Sequence, residues 1–189
     1  MVYYNIRKVS IAMLKIENLY KKSKNEVIND VSMSLLSGSS ISIECSDDTS
    51  NLLIDLILGR ALPTKGEIYI EENKNTDYIK RNLGKIGIIF KEDALYEGMR
   101  VYDYLKFFSK LNTPTANLEE IMLRLAINDI AKLPIKQLDF SQKRRVSLAR
   151  EAIKQPKLLI IQEPILNVNR DTIKLVTEFI DYLCRTGTT

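Results

Sequence analysis

The sequence predicts an α/β fold, and three observations carry the prediction. Short apolar or alternating runs at 13–20, 27–45, 67–70, 83–90 and 157–161 read as strands. Stretches at 50–58, 101–112, 117–127, 141–155 and 170–184 carry apolar residues at helical spacing. The two kinds alternate along the chain, which is the order of an α/β domain. A chain of 189 residues is long enough for one substantial core.

In order, "MLKIENLY" (13–20) sets Leu14, Ile16 and Leu19 among polar neighbours. "VINDVSMSLLSGSSISIEC" (27–45) reads as two strands turning at Ser37–Gly38. Val31, Met33 and Leu35 share a face of the first, and Ile41 and Ile43 continue in the second. The helix over 50–58 gathers Leu52, Leu53, Leu56 and Ile57 on one side and stops at Gly59. "LPTKGEIYIEEN" holds a Pro–Gly loop and the strand Glu67–Ile70, and "LGKIGIIF" (83–90) is a short buried strand.

The middle changes character. The helices at 101–112 and 117–127, broken at Pro114 and ended at Pro134, form a helical insert over about 92–140. Its aromatic group, Tyr102, Tyr104, Phe107 and Phe108, is read as core rather than as a docking patch. The helix at 141–155 turns Val146, Ala149, Ala152 and Ile153 inward and is stopped by Pro156. "KLLII" (157–161) then reads as a buried strand of the parallel kind. The last helix spaces Ile173, Val176, Phe179, Ile180 and Leu183 along one face. "RTGTT" at the end is a turn signal, read as a truncation of a longer protein.

Composition excludes several chemistries. The chain has no histidine, so His general bases, His metal ligands and Ser-His-Asp triads are ruled out within it. Cys45 and Cys184 lie far apart and make no disulfide framework, so a reducing cytoplasm is the expected location. No apolar run reaches membrane-spanning length, and no direct membrane insertion is expected. The net charge of +4 is mild. Basic residues cluster only at Lys143-Arg144-Arg145, read as a helix surface.

Five segments in order, "MLKIENLY", "INDVSMSL", "LILGRALPTKGEIYI", "KIGIIFKEDALYEGMRVYDYLKFFSKL" and "QKRRVSLAREAIKQPKLLIIQEP", make the chain resemble the ATP-binding domain of ABC transporters over about 13–189. The resemblance implies a P-loop NTPase-like fold with a mainly parallel sheet core, an antiparallel β subdomain and a helical subdomain at about 92–140. Residues 1–12 are then an N-terminal extension. At the motifs the chain departs from the family. Where relatives carry a loop like GPNGAGKST, it has Glu44, Cys45, Ser46, Asp47, Asp48, Thr49, Ser50, Asn51 and Leu52. Lys91 stands for the glutamine that the family places near the γ-phosphate. The signature usually written LSGGQ reads Leu138, Asp139, Phe140, Ser141 and Gln142. Gln162 stands for the aspartate that holds magnesium, while Glu163 keeps the place of the catalytic base. Asn169 takes the D-loop aspartate's place, and Tyr20 lies one step from that of the adenine-stacking aromatic, near Ser23.

A phosphate loop works by aiming backbone N–H groups and a helix N-terminus at the anion, with glycines allowing close approach. Residues with side chains at 44, 47 and 49 disfavour that wrap, and the counter-charge of the lysine is gone. A carboxylate about 5 Å from one phosphate charge costs about 3 kcal/mol at an effective dielectric of about 20. The alternative role for Ser46, Asp47 and Asp48 is to cap the helix that follows, and it is preferred. Glu163 is accordingly a vestigial base. No cofactor is expected, and ATP or magnesium enters only if the altered loop of 46–51 still binds it. No metal ligands are assigned.

Three functions compete. An active transporter ATPase needs the missing glycines, lysine and aspartate. An inactive half of an asymmetric pair needs an intact signature, which Asp139 and Phe140 spoil. A non-catalytic interaction or regulatory module fits best. The resemblance implies a protein partner: its own dimer, a membrane subunit docking near 91–108, or a regulatory partner. Some proteins resembling this family carry a C-terminal DNA-binding domain of the LytTR type, and DNA would be reached only through such a further domain.

Overall fold

A computed structural model describes residues 12–23, 26–111 and 116–189. They form two compact units, divided between Arg81 and Asn82. The expected extension, apart from Ala12, and the break at Pro114 lie outside the described residues.

The N-terminal unit contains β1 (Ala12–Lys22), β2 (Val27–Leu36), α1 (Asp47–Ile57), β3 (Lys65–Ile70), β4 (Asn73–Lys74) and α2 (Asn75–Asn82). Its strands make one antiparallel sheet in the order β2-β1-β3-β4. Alternation works as expected in β1, where Leu14, Ile16 and Leu19 are buried together with Met13. The β1–β3 register slips between Glu17 and Tyr20, where Asn18 adopts a φ of 45°. Asn18 ties this bulge to β2: its amide donates to Asp30 Oδ1 (3.2 Å) and its backbone N–H to Ser32 Oγ (2.9 Å). In β2 the buried apolar residue is Ile28, whereas Val31 is exposed.

The second strand expected after Ser37–Gly38 does not form. Residues 39–46 hold no regular element, and Ile41 and Ile43 are exposed. Alternation makes a strand only where a neighbour takes up its backbone N–H and C=O groups, and among the described residues this segment joins no ladder. Two short elements, β4 and the polar helix α2, are present without having been expected. Asn75 starts α2, and its amide donates to the carbonyls of Leu56 (2.7 Å) and Ile57 (3.0 Å) at the end of α1. Both carbonyls belong to the last turn, where an α-helix runs out of its own donors; Leu56 also accepts the Gly59 N–H (3.1 Å), and the Asn75 amide adds a bond to each. Gly59, with φ 66°, ends α1 in the left-handed conformation that glycine adopts without strain.

The C-terminal unit contains β5 (Ile86–Ile89), α3 (Val101–Leu111), α4 (Leu118–Arg124), α5 (Phe140–Ile153), β6 (Leu158–Ile161) and α6 (Arg170–Arg185). β5 and β6 pair in parallel from Ile86↔Leu158 to Ile89↔Ile161 and form a separate two-stranded sheet, the parallel one among the described residues. The core gathers Leu105, Leu125, Ile127, Leu148, Phe179 and their neighbours from four helices. The aromatic group of α3 divides: Tyr104 is buried and Phe108 packs against the core, while Tyr102 and Phe107 are exposed. Val146, Ala149, Ala152 and Ile153 are buried, as their spacing implies.

Candidate functional site

Ser46 precedes α1 in an extended conformation, and its hydroxyl accepts the Thr49 N–H (3.2 Å), so serine rather than aspartate is the N-cap. Asp47 and Asp48 occupy the first turn, where negative charge suits the helix dipole. The side chains close over this end. Glu26 Oε1 accepts the Ser46 hydroxyl (3.0 Å), and Glu26 Oε2 accepts the Thr49 hydroxyl (2.6 Å). Burial pushes the Cys45 thiol up, with the carboxylates of Glu26 and Asp47 adding to the shift. Ser50 donates its backbone N–H to the Ser46 carbonyl (2.8 Å) as the helix begins, and Asn51 follows exposed in the next position. Ser46→Ala is expected to cost about 1 kcal/mol, and Asp47→Ala less, since only a dipole interaction is lost. Urea melts of both variants check the order; a larger loss for Asp47→Ala would move the cap to the aspartate.

The other candidate residues lie in the C-terminal unit, at the end of β6 and the start of α5. Gln162 is buried, and its Oε1 accepts the Lys91 N–H (3.2 Å). Lys91 Nζ stands 3.4 Å from Glu163 Oε1. Glu163 has a φ of 48°, an uncommon conformation for a residue with a side chain, and its buried Oε2 accepts no hydrogen bond among the described residues. The Lys91 side chain is 42% exposed, so this ion pair is partly solvated.

At α5 the N-cap is Asp139, which exchanges a reciprocal pair of bonds with Gln142. The Gln142 N–H donates to Asp139 Oδ1 (2.8 Å), and the Asp139 N–H donates to Gln142 Oε1 (3.1 Å). Ser141 is buried, and its hydroxyl accepts the Asn169 N–H (2.9 Å). Asn169 in turn caps α6 by accepting the Thr172 N–H (2.9 Å). Phe140 is exposed beside Leu166 and Asn167, in an open cleft of about 300 Å³ that also borders Lys91, Asp93 and Arg144.

Arg144 is not the helix-surface residue its neighbours implied. It is 4% exposed, donates to the carbonyls of Phe90 (3.1 Å) and Lys91 (2.9 Å), and lies 3.5 Å from Asp93. Arg145 donates to the carbonyls of Leu125 (3.2 Å) and Ala126 (2.6 Å) past the end of α4, and burial lowers its guanidinium. Lys143 pairs with Glu97 (3.1 Å). Sequence reasoning passed over Glu26 and Asp93 and gave Arg144 the wrong setting. No local pattern marks these residues, since their partners lie in distant segments.

The family model for ABC transporters matches residues 51–166. The lantibiotic transport ATP-binding protein SrtF of Streptococcus pyogenes is 28% identical over 180 residues, covering 94% of this chain and 77% of the relative. The putrescine transport ATP-binding protein PotG of Escherichia coli is 28% identical over 193 residues, covering 97% of this chain and 50% of the relative. Among solved structures, a putative ABC transporter ATP-binding protein from Pyrococcus furiosus superimposes with a TM-score of 0.76 at 22% identity, over 93% of this chain and 87% of that one. CbiO1 from Clostridium perfringens, part of the ABC transporter complex cbiONQ, gives 0.75 at 22% identity, over 92% and 75%. These structures establish the fold, and with the match over 51–166 they place the chain in the ABC transporter family, as an ATP-binding domain.

Proposed function

We propose that this ABC-type domain acts through protein contacts and does not hydrolyse ATP at its own phosphate loop. The observation that carries the proposal is the Glu26 carboxylate, which accepts the hydroxyls of both Ser46 and Thr49 over the first turn of α1. A phosphate at a helix N-terminus needs donors turned toward it and positive charge nearby. Here both hydroxyls face a carboxylate, the Thr49 N–H is committed to Ser46, and Asp47 and Asp48 add negative charge. The start of α5 repeats the pattern: Asp139 takes the Gln142 N–H, and Ser141 takes the Asn169 N–H. Asp139, Ser141 and Gln142 are thus engaged inside this chain, while Phe140 is exposed.

Magnesium fits poorly as well. Gln162 is neutral and its oxygen already accepts a hydrogen bond, and Glu163 faces a lysine. Glu163 is then a vestigial base with no activated water to serve. The partner is a second cassette, a membrane subunit or a regulatory protein, in the cytoplasm. Control of transcription is one form of this role, with DNA reached only through a further domain. No helix among the described residues is long and apolar enough to cross a membrane.

A second reading, an ATP-binding subunit that couples hydrolysis to transport, is favoured by the relatives. SrtF and PotG are both named as transport ATP-binding proteins, and SrtF aligns with 94% of this chain. Calorimetry with MgATP and a phosphate-release assay separate the two. The expected result is no saturable heat and no turnover. Micromolar binding, or turnover abolished by Glu163→Gln, would establish the transporter ATPase instead.

A further inference from the structure

We propose that the Lys91 ammonium is the resident cation at the end of β6, taking the electrostatic place of a divalent metal, so that this strand end binds no divalent cation. The inference deepens the non-hydrolysing reading, and its test uses no nucleotide, so either can fail without the other.

The backbone of Lys91 is held on both sides. Its N–H donates to Gln162 Oε1 (3.2 Å), and its carbonyl accepts from Arg144 Nη2 (2.9 Å). Arg144 also binds the carbonyl of Phe90 (3.1 Å), so the lysine leaves the chain from a pinned position. From there Nζ reaches to 3.4 Å from Glu163 Oε1. Glu163 follows the buried Gln162 directly, in a left-handed backbone conformation.

A carboxylate with one buried oxygen that accepts no hydrogen bond needs charge compensation. Lys91 supplies it. The surroundings are balanced in the same way, with Arg144 against Asp93 (3.5 Å) and Lys143 against Glu97 (3.1 Å). In these three pairs each cation faces a carboxylate, and Glu92 on the same cleft adds one further negative charge, so a divalent ion would bring a net excess of positive charge beside Lys91. Hard divalent cations also require several oxygen ligands. The amide oxygen of Gln162, next to Glu163 in the chain, is already committed to the Lys91 N–H.

Mn²⁺ is the probe, read by paramagnetic broadening in NMR, together with melting temperatures of the wild type, Lys91→Arg and Lys91→Met. The signals of Lys91, Gln162 and Glu163 are expected to stay sharp in wild-type protein. Lys91→Arg, which keeps the charge, is expected to melt near the wild type, and Lys91→Met about 2–4 °C lower. Selective broadening at Gln162 or Glu163 in the wild type overturns the proposal. So does a Lys91→Met variant that melts together with Lys91→Arg. The Mn²⁺ measurement stands on the wild type alone, so a Met variant that does not fold leaves the proposal open to refutation.

Discussion

Gly66→Ala is expected to destabilise the N-terminal unit by about 3–5 kcal/mol, combining left-handed backbone strain with overpacking against main chain. Gly66 has a φ of 81°, and a Cβ placed there would lie 2.3 Å from the carbonyl oxygen of Glu17 and 2.4 Å from that of Asn18. Real Cβ atoms do not approach that closely, and the obstacle is backbone, which cannot rotate aside. The bulge at Asn18 cannot retreat cheaply either, because Asp30 and Ser32 hold it from β2. The contrast is Gly84, where a Cβ would meet nothing within 4 Å. Chemical denaturation of both variants provides the check. A Gly66→Ala protein as stable as Gly84→Ala would mean that the β1–β3 bulge relaxes freely.

The second large effect is expected at Glu151, whose side chain is 3% exposed on α5. Its Oε1 accepts from Arg150 Nε (2.8 Å), and its Oε2 lies 2.8 Å from Lys154 Nζ and accepts the Ile88 N–H (3.2 Å) from β5. Arg150 continues the network to the Ala94 carbonyl (2.8 Å) and the Tyr104 hydroxyl (3.1 Å). Burial pushes the Tyr104 phenol up, while the Arg150 contact pulls the other way. Removing one partner of a buried ion pair leaves the other charge uncompensated, so Glu151→Ala should cost about 3–5 kcal/mol. Glu151→Gln keeps an acceptor for Ile88 and should lose less. Urea midpoints with unchanged slopes would measure both, and a loss near zero for Glu151→Ala would show that water already compensates Arg150.

Most of the scaffold was legible because its signals are local. The helices α5 and α6 and the strands β5 and β6 follow from apolar periodicity, and their ends shift by one or two residues through capping. α5 starts at Phe140 because Asp139 caps it, one residue before the apolar pattern suggests. α1 begins at Asp47 rather than 50, since its polar first turn reads as loop until Ser46 is recognised as the cap. α2 was missed because Tyr78 and Ile79 are too few apolar residues to show a period, and a contact from Asn75 to the end of α1 supports it. The segment at 39–45 was read as a strand for the opposite reason. Its alternation is clean, but the ladder that would use it is absent among the described residues.

The sequence by itself determined the fold class, the order of the family's segments and the absence of glycine and lysine from residues 44–52. Each of these is written in residue type and spacing along one stretch of chain. What the altered positions do was decided by tertiary structure. Glu26 closes over Ser46 and Thr49 from 20 and 23 residues away, and Gln162 takes the Lys91 N–H across 71. The pairing of Lys91 with Glu163 and the burial of Arg144 depend in the same way on distant segments. Periodicity and capping are properties of neighbouring residues. Charge pairing at these sites depends on which segments the fold brings within hydrogen-bonding distance, and that distance is absent from the linear order.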